Sequence, residues 1–127
     1  MEPSCSVRDS ILQYAQEQFG AEPEYLWAKF PGTAVLRHSN NSKWYALFTN
    51  VPKRKLGLPE NESVDVDILV VKCDPTLIGS LLSNPGFLPG YHMSKSTWIT
   101  ILLDGAVPTD EIHTLLNLSY DLTKTKI

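Results

Sequence analysis

The chain has 127 residues, of which 43% are hydrophobic and 9% aromatic. That suffices for one ordinary core and is too apolar for a disordered segment. The formal net charge is -3 and the sequence pI about 5.5, so the overall field repels phosphate, and any nucleic-acid contact must rest on a local basic patch.

Two cysteines, Cys5 and Cys73, make no disulfide framework and suit a reducing compartment. Met1 to Cys5 lacks the basic and apolar regions of a signal peptide, and no apolar run is long enough to span a membrane. A cytoplasmic protein with no membrane partner is expected.

A first helix is predicted after Ser6, with Asp9 where the helix dipole favours an acid and Ile11, Leu12, Ala15 and Phe19 at helical spacing. Gly20 is placed to end it in a left-handed conformation, and Pro23 prevents its continuation. Strands are predicted at Tyr25 to Phe30, Thr33 to His38 and Lys43 to Asn50, separated by the turn signals Pro31-Gly32 and Ser39-Asn40-Asn41-Ser42. In the third, Trp44, Ala46 and Phe48 alternate with Tyr45, Leu47 and Thr49.

Val51 to Asn61 reads as a polar loop carrying Lys53, Arg54 and Lys55. Ser63 to Cys73 has a clean period-two pattern, with Val64, Val66, Ile68 and Val70 on one side and Asp65 and Asp67 on the other. Asp74-Pro75 is a strong helix start, with Leu77, Ile78, Leu81 and Leu82 as the buried stripe. A loop, Phe87 to Ser96, leads into a strand from Thr97 to Leu103. Asp104-Gly105 turns the chain, and Pro108 opens a last helix with Ile112, Leu115, Leu116, Ser119 and Leu122 on one face.

The order predicts one α+β domain over residues 1–127, an antiparallel sheet with helices packed on one face. A doubly wound parallel sheet would need helices between the early strands.

The segment Gly90-Tyr91-His92-Met93-Ser94-Lys95-Ser96-Thr97-Trp98-Ile99-Thr100 resembles the signature of YjbR/MmcQ-like proteins: His, an apolar residue, Asn, Lys, any residue, His, Trp. His92, Met93, Lys95 and Trp98 match. Ser94 stands where the family usually has Asn, and Thr97 where it usually has His. Leu103-Asp104-Gly105-Ala106-Val107-Pro108, Ser119-Tyr120, Trp27, Lys43-Trp44-Tyr45-Ala46 and Lys53-Arg54-Lys55-Leu56-Gly57-Leu58 also resemble the family. The resemblance implies a CyaY-like fold, also described as a double wing, and a label of DNA binding. That label is itself an inference from fold.

Lys53, Arg54 and Lys55 are the densest positive charge and are candidate phosphate contacts. The plainer alternative is a solvated loop, with Glu60, Glu62, Asp65 and Asp67 nearby in sequence. His92 and Lys95 could grip an anion, and Tyr91, His92 and Trp98 could line a ligand or partner surface, though for Trp98 core packing is the favoured expectation. Trp27, Trp44 and Tyr45, with Lys29, Arg37 and Lys43 nearby, could read single strands on a sheet face, but core packing is the favoured expectation.

Metal binding has little support. The histidines are scattered, no Cys-x-x-Cys pair exists, and the first helix lacks a frataxin-type acidic ridge, leaving Asp65 and Asp67 as a weak hard-cation pair. No cofactor and no catalytic motif is found: Cys73 at a strand end reads as a structural thiol, and no Gly-rich phosphate loop or nucleophile elbow is present. The expectation is a non-enzymatic DNA-binding protein making backbone contacts. The rival is a protein- or small-ligand-binding module using the sheet face and the 87–98 loop.

Overall fold

The computed structural model describes residues 7–20, 22–26, 28–29, 32–38, 43–52, 65–91, 93, 96–105 and 107–123. Helix α1 (Val7–Phe19) is followed by β1 (Ala34–Arg37), β2 (Trp44–Pro52) and β3 (Asp65–Lys72). Then come α2 (Pro75–Leu82), β4 (Phe87–Pro89), β5 (Trp98–Leu102) and α3 (Thr109–Thr123). The strands form one antiparallel sheet in the order β1-β2-β3-β5-β4, as predicted for an α+β fold.

The local signals act as chemistry requires. Gly20 ends α1 with φ 65°, a backbone that costs a glycine nothing. The Asp74 carboxylate accepts from the Thr76 N–H at 2.9 Å and the Thr76 hydroxyl at 2.8 Å, and Pro75 opens α2. Those two bonds hold the Asp74 carboxyl below the usual carboxylate range.

Side-chain alternation sorts the sheet into two buried faces. One face meets all three helices. A rung of Ala34, Phe48, Leu69, Ile101 and Phe87 crosses all five strands there, covered by Ile11 and Ala15 of α1, Ile78 of α2 and Ile112, Leu115 and Leu116 of α3. The other face holds Val35, Leu47, Val51, Val66, Ile68, Val70 and Leu102. Among the described residues no helix contributes to it. Asp67 points to the helix side, where Arg8 of α1 reaches it at 4.0 Å and Asn50 donates to it at 2.9 Å.

Several local expectations are corrected. Of the predicted α2 stripe, Leu77 and Leu82 are exposed, while Ile78 is buried. No strand forms among the described residues of 25–30; upstream of them, Glu24 alone exchanges two backbone hydrogen bonds of 3.0 Å with Val35. Phe87–Pro89, expected as loop, forms the edge strand β4, short and closed by a proline that has no N–H to give a further partner. Finally, the β1–β2 register shifts between Leu36 and Arg37, which pair with Ala46 and Trp44. Tyr45 is therefore an extra residue, a bulge. It joins Ala46 and Phe48 on the helix face, while Trp44 lies with Leu47 on the other.

Candidate functional site

The two loops that carry the candidate cations are tethered at opposite ends of the sheet. The chain enters residues 53–64 from Pro52 and returns at Asp65, which pair with each other. It leaves Pro89 and re-enters the sheet at Trp98, which pairs with Lys72. Asp65 and Lys72 end the same strand, so the tethers are about 23 Å apart at ~3.3 Å per residue. Lys53, Arg54, Lys55, His92 and Lys95 themselves lie outside the described residues, as does Trp27.

Tyr91 and Trp98 do come together. Both are half-buried and, with Trp44, Leu88 and Met93, pack against the apolar cluster of the helix-free face. The Tyr91 N–H donates to the buried Thr100 hydroxyl at 2.9 Å, tying the loop to β5. Gly90 makes the approach possible: a Cβ there would stand 2.9 Å from the Trp98 Cβ and 3.0 Å from its carbonyl oxygen. Backbone atoms cannot swing aside. Gly90→Ala is expected to cost about 1–3 kcal/mol and to displace Tyr91. Urea unfolding with near-ultraviolet circular dichroism checks it; unchanged stability and spectrum would refute the contact.

The same end of this face carries a row of alternating charge and ring. Arg37 of β1 pairs with Trp44 of β2, and Lys72 of β3 pairs with Trp98 of β5. Paired residues share a face, and Trp44 and Trp98 place that face opposite the helices. Going across the sheet, the sequence of side chains is cation, indole, cation, indole. The row crosses four neighbouring strands.

Glu24 holds Arg37 through Nε at 2.8 Å, an exposed pair. Asp67 lies beneath the sheet with Arg8, and Asp65, two residues before it on the strand, shares its side by alternation. Asp74 is engaged in the α2 cap.

Sequence reasoning missed Lys72 and put Trp44 on the wrong face. The signal for Lys72 was present: it continues the Val66, Ile68, Val70 alternation by one step. The bulge that turns Trp44 over had no such signal.

Beneath α3 runs a buried polar seam. The β2–β3 ladder stops at Ala46 and Val71. One step further out, the Ser119 hydroxyl lies between the strands, accepting from the Lys72 N–H at 2.9 Å and donating to the Tyr45 carbonyl at 2.6 Å. One turn on, the Thr123 hydroxyl donates to the Ser119 carbonyl at 2.8 Å and meets His38 Nε2 at 2.8 Å. With its proton on the Ser119 carbonyl, the Thr123 hydroxyl accepts from His38 in the tautomer that carries the ring proton on Nε2. The His38 ring also lies 4.4 Å from Tyr120 and 5.0 Å from Tyr45.

The Tyr45 hydroxyl is buried and, among the described residues, without a hydrogen-bond partner. Burial first, and then the neighbouring Tyr120, push its pKa well above the ordinary phenol value near 10. The neutral phenol is thus favoured by the fold. That contribution is complete below about pH 10, where the unfolded phenol titrates, and is lost as pH rises beyond it. Tyr45→Phe removes an unsatisfied hydroxyl and keeps the ring. It is expected to leave stability at neutral pH unchanged or raised by about 1–2 kcal/mol and to flatten the alkaline decline. Urea midpoints from pH 7 to 11 test this; a loss at pH 7 would mean the hydroxyl has a partner.

The Cys73 thiol is buried, and desolvation, with the Asp74 charge, raises its pKa. Such a thiol is a poor nucleophile at neutral pH, in keeping with a structural role. Among the described residues no group of three or more His, Cys, Asp and Glu is disposed to hold a metal ion, and no helix is long and apolar enough to cross a membrane.

Comparison with known proteins supplies relatives for this architecture. The model of the YjbR family matches residues 17–122. The uncharacterized protein YyaQ of Bacillus subtilis is 43% identical over 118 residues, covering 93% of this chain and 98% of its own. The crystal structure of a Pseudomonas syringae protein superposes with a TM-score of 0.88 at 44% identity, covering 92% of this chain and 98% of that one. A Deinococcus radiodurans protein, DR2400, described by the domain name DUF419, superposes with a TM-score of 0.71 at 25% identity, covering 99% and 84% respectively.

Proposed function

We propose, from the premise that this chain belongs to the YjbR family, that it is a non-enzymatic nucleic-acid-binding module working at the Trp98 end of its helix-free face. DNA is the expected ligand, held mainly through its backbone. The observation that supports this reading is the row Arg37, Trp44, Lys72, Trp98, in which cations and aromatic rings alternate across neighbouring strands. The carboxylate of Asp67 faces away from that surface. His92 and Lys95, in the loop tethered beside Trp98, would add donors. Lys53, Arg54 and Lys55, tethered at the far end, would supply a separate phosphate contact.

With a net charge of -3, binding depends on this local charge and falls steeply with salt. The test is fluorescence anisotropy of labelled DNA from low to physiological salt. Lys72→Glu is expected to weaken binding about tenfold or more and to lower the salt slope by about one, as for loss of one phosphate contact. Replacing Lys53, Arg54 and Lys55 together by Ala lowers the slope by about two to three. Full binding by Lys72→Glu would remove the face from the reading. No binding at low salt would overturn it, in favour of a protein or small-molecule partner on the half-buried rim of Leu88, Tyr91, Met93 and Trp98.

A further inference from the structure

We infer that the face prefers single-stranded to double-stranded nucleic acid, an inference that rests on the nucleic-acid reading above and concerns the same row of residues. Trp44 and Trp98 are half-buried against the apolar cluster of the helix-free face, so each indole is held by packing while part of it meets solvent. They stand on β2 and β5, two strands apart in the order β2-β3-β5. Lys72 lies on the strand between them and directly opposite Trp98.

Indole, ammonium, indole is the chemical complement of base, phosphate, base. A strand running across the sheet can lay two neighbouring bases on the two rings and set the phosphate that joins them against Lys72; Arg37, beyond Trp44, is held by Glu24. A duplex cannot use this arrangement. Its base faces are stacked on one another, and only its phosphates would engage, leaving both indoles unused. Stacking is tolerant of base identity because every base has a π-face. The site therefore selects for strandedness with little preference for sequence.

The full chain is titrated with labelled oligo(dT), oligo(rU) and a hairpin duplex carrying the same number of phosphates, with intrinsic tryptophan emission followed in parallel. The expected result is at least about tenfold tighter binding of a single strand than of the duplex, with quenched tryptophan emission, the size expected of stacking on an aromatic side chain. The dT and rU arms distinguish a deoxy from a ribo strand. Trp98→Leu, which still fills apolar space, is expected to lose about tenfold in single-strand affinity and so to bring the ratio of single-strand to duplex affinity down towards one. Should that variant fail to fold, the wild-type ratio and its quench decide the matter. Duplex bound as tightly as the single strands, without a change in emission, overturns this inference and leaves the nucleic-acid reading standing. No binding of any of the three at low salt overturns both.

Discussion

Replacing Ser119 by alanine is expected to destabilise the protein by about 2–4 kcal/mol. The reason is positional. Ser119 is fully buried, and its hydroxyl serves two backbone groups on two different strands, the Lys72 N–H at 2.9 Å and the Tyr45 carbonyl at 2.6 Å. Without it both groups are left buried and unpaired, at about 1–3 kcal/mol each. The strands could close to bond Lys72 directly to Tyr45, but Tyr45 is the bulged residue of the β1–β2 pair and its ring is wedged among Phe19, His38 and Tyr120. Closure would have to pull that ring out of place, so only part of the loss is recovered.

For a chain of 127 residues the drop corresponds to roughly 10 °C in Tm. Thermal and urea unfolding measure it, and hydrogen exchange at the Lys72 amide should quicken specifically. A change below about 0.5 kcal/mol would show that the hydroxyl does not bridge the strands.

Ser119 also marks where sequence reasoning stops. Its position on the buried face of α3 followed from the spacing of Ile112, Leu115, Leu116 and Leu122. Its bonding partners lie 47 and 74 residues away, and no local pattern announces them. Leu122 itself proved exposed, and Thr123, one turn after Ser119, takes the inward place. Elements with a local cause were legible: the Asp74–Pro75 start of α2, the Gly20 stop of α1, the alternation along β3. Elements decided by a neighbouring strand were not. The β4 edge strand exists because β5 offers it a partner, and the Tyr45 bulge exists because an aromatic cluster under α3 accepts its ring.

The candidate site divides the same way. Trp98 and Tyr91 were legible through the resemblance of their segment to the YjbR signature. Pairing Trp98 with Lys72, and bringing Trp44 to the same face, required the register. The proposed site inherits that dependence, because the row of cations and indoles is a property of strand order and belongs to no single stretch of the chain.

The largest single loss is expected from Leu69→Ala. Leu69 sits in the middle of β3, the central strand of the sheet, paired with Phe48 on one side and Ile101 on the other. It is fully buried on the helix face. Removing its isobutyl group opens a cavity flanked by two neighbours that are themselves held in the ladder and cannot slide to fill it. The cost is about 3–5 kcal/mol, a large part of the 5–15 kcal/mol that typically holds such a chain folded. A urea midpoint shift of that size, at unchanged slope, is the expected observation.

The helix-free face lies across the sheet from this cavity, so on the proposed reading the variant that remains folded should bind single-stranded nucleic acid as the parent does, once its lower stability is allowed for. Trp98→Leu should behave in the opposite sense, with single-strand affinity lowered about tenfold and the fold largely kept. If Leu69→Ala abolished binding under conditions where it is fully folded, the two faces would be mechanically coupled, and the assignment of binding to the Trp98 end alone would fail.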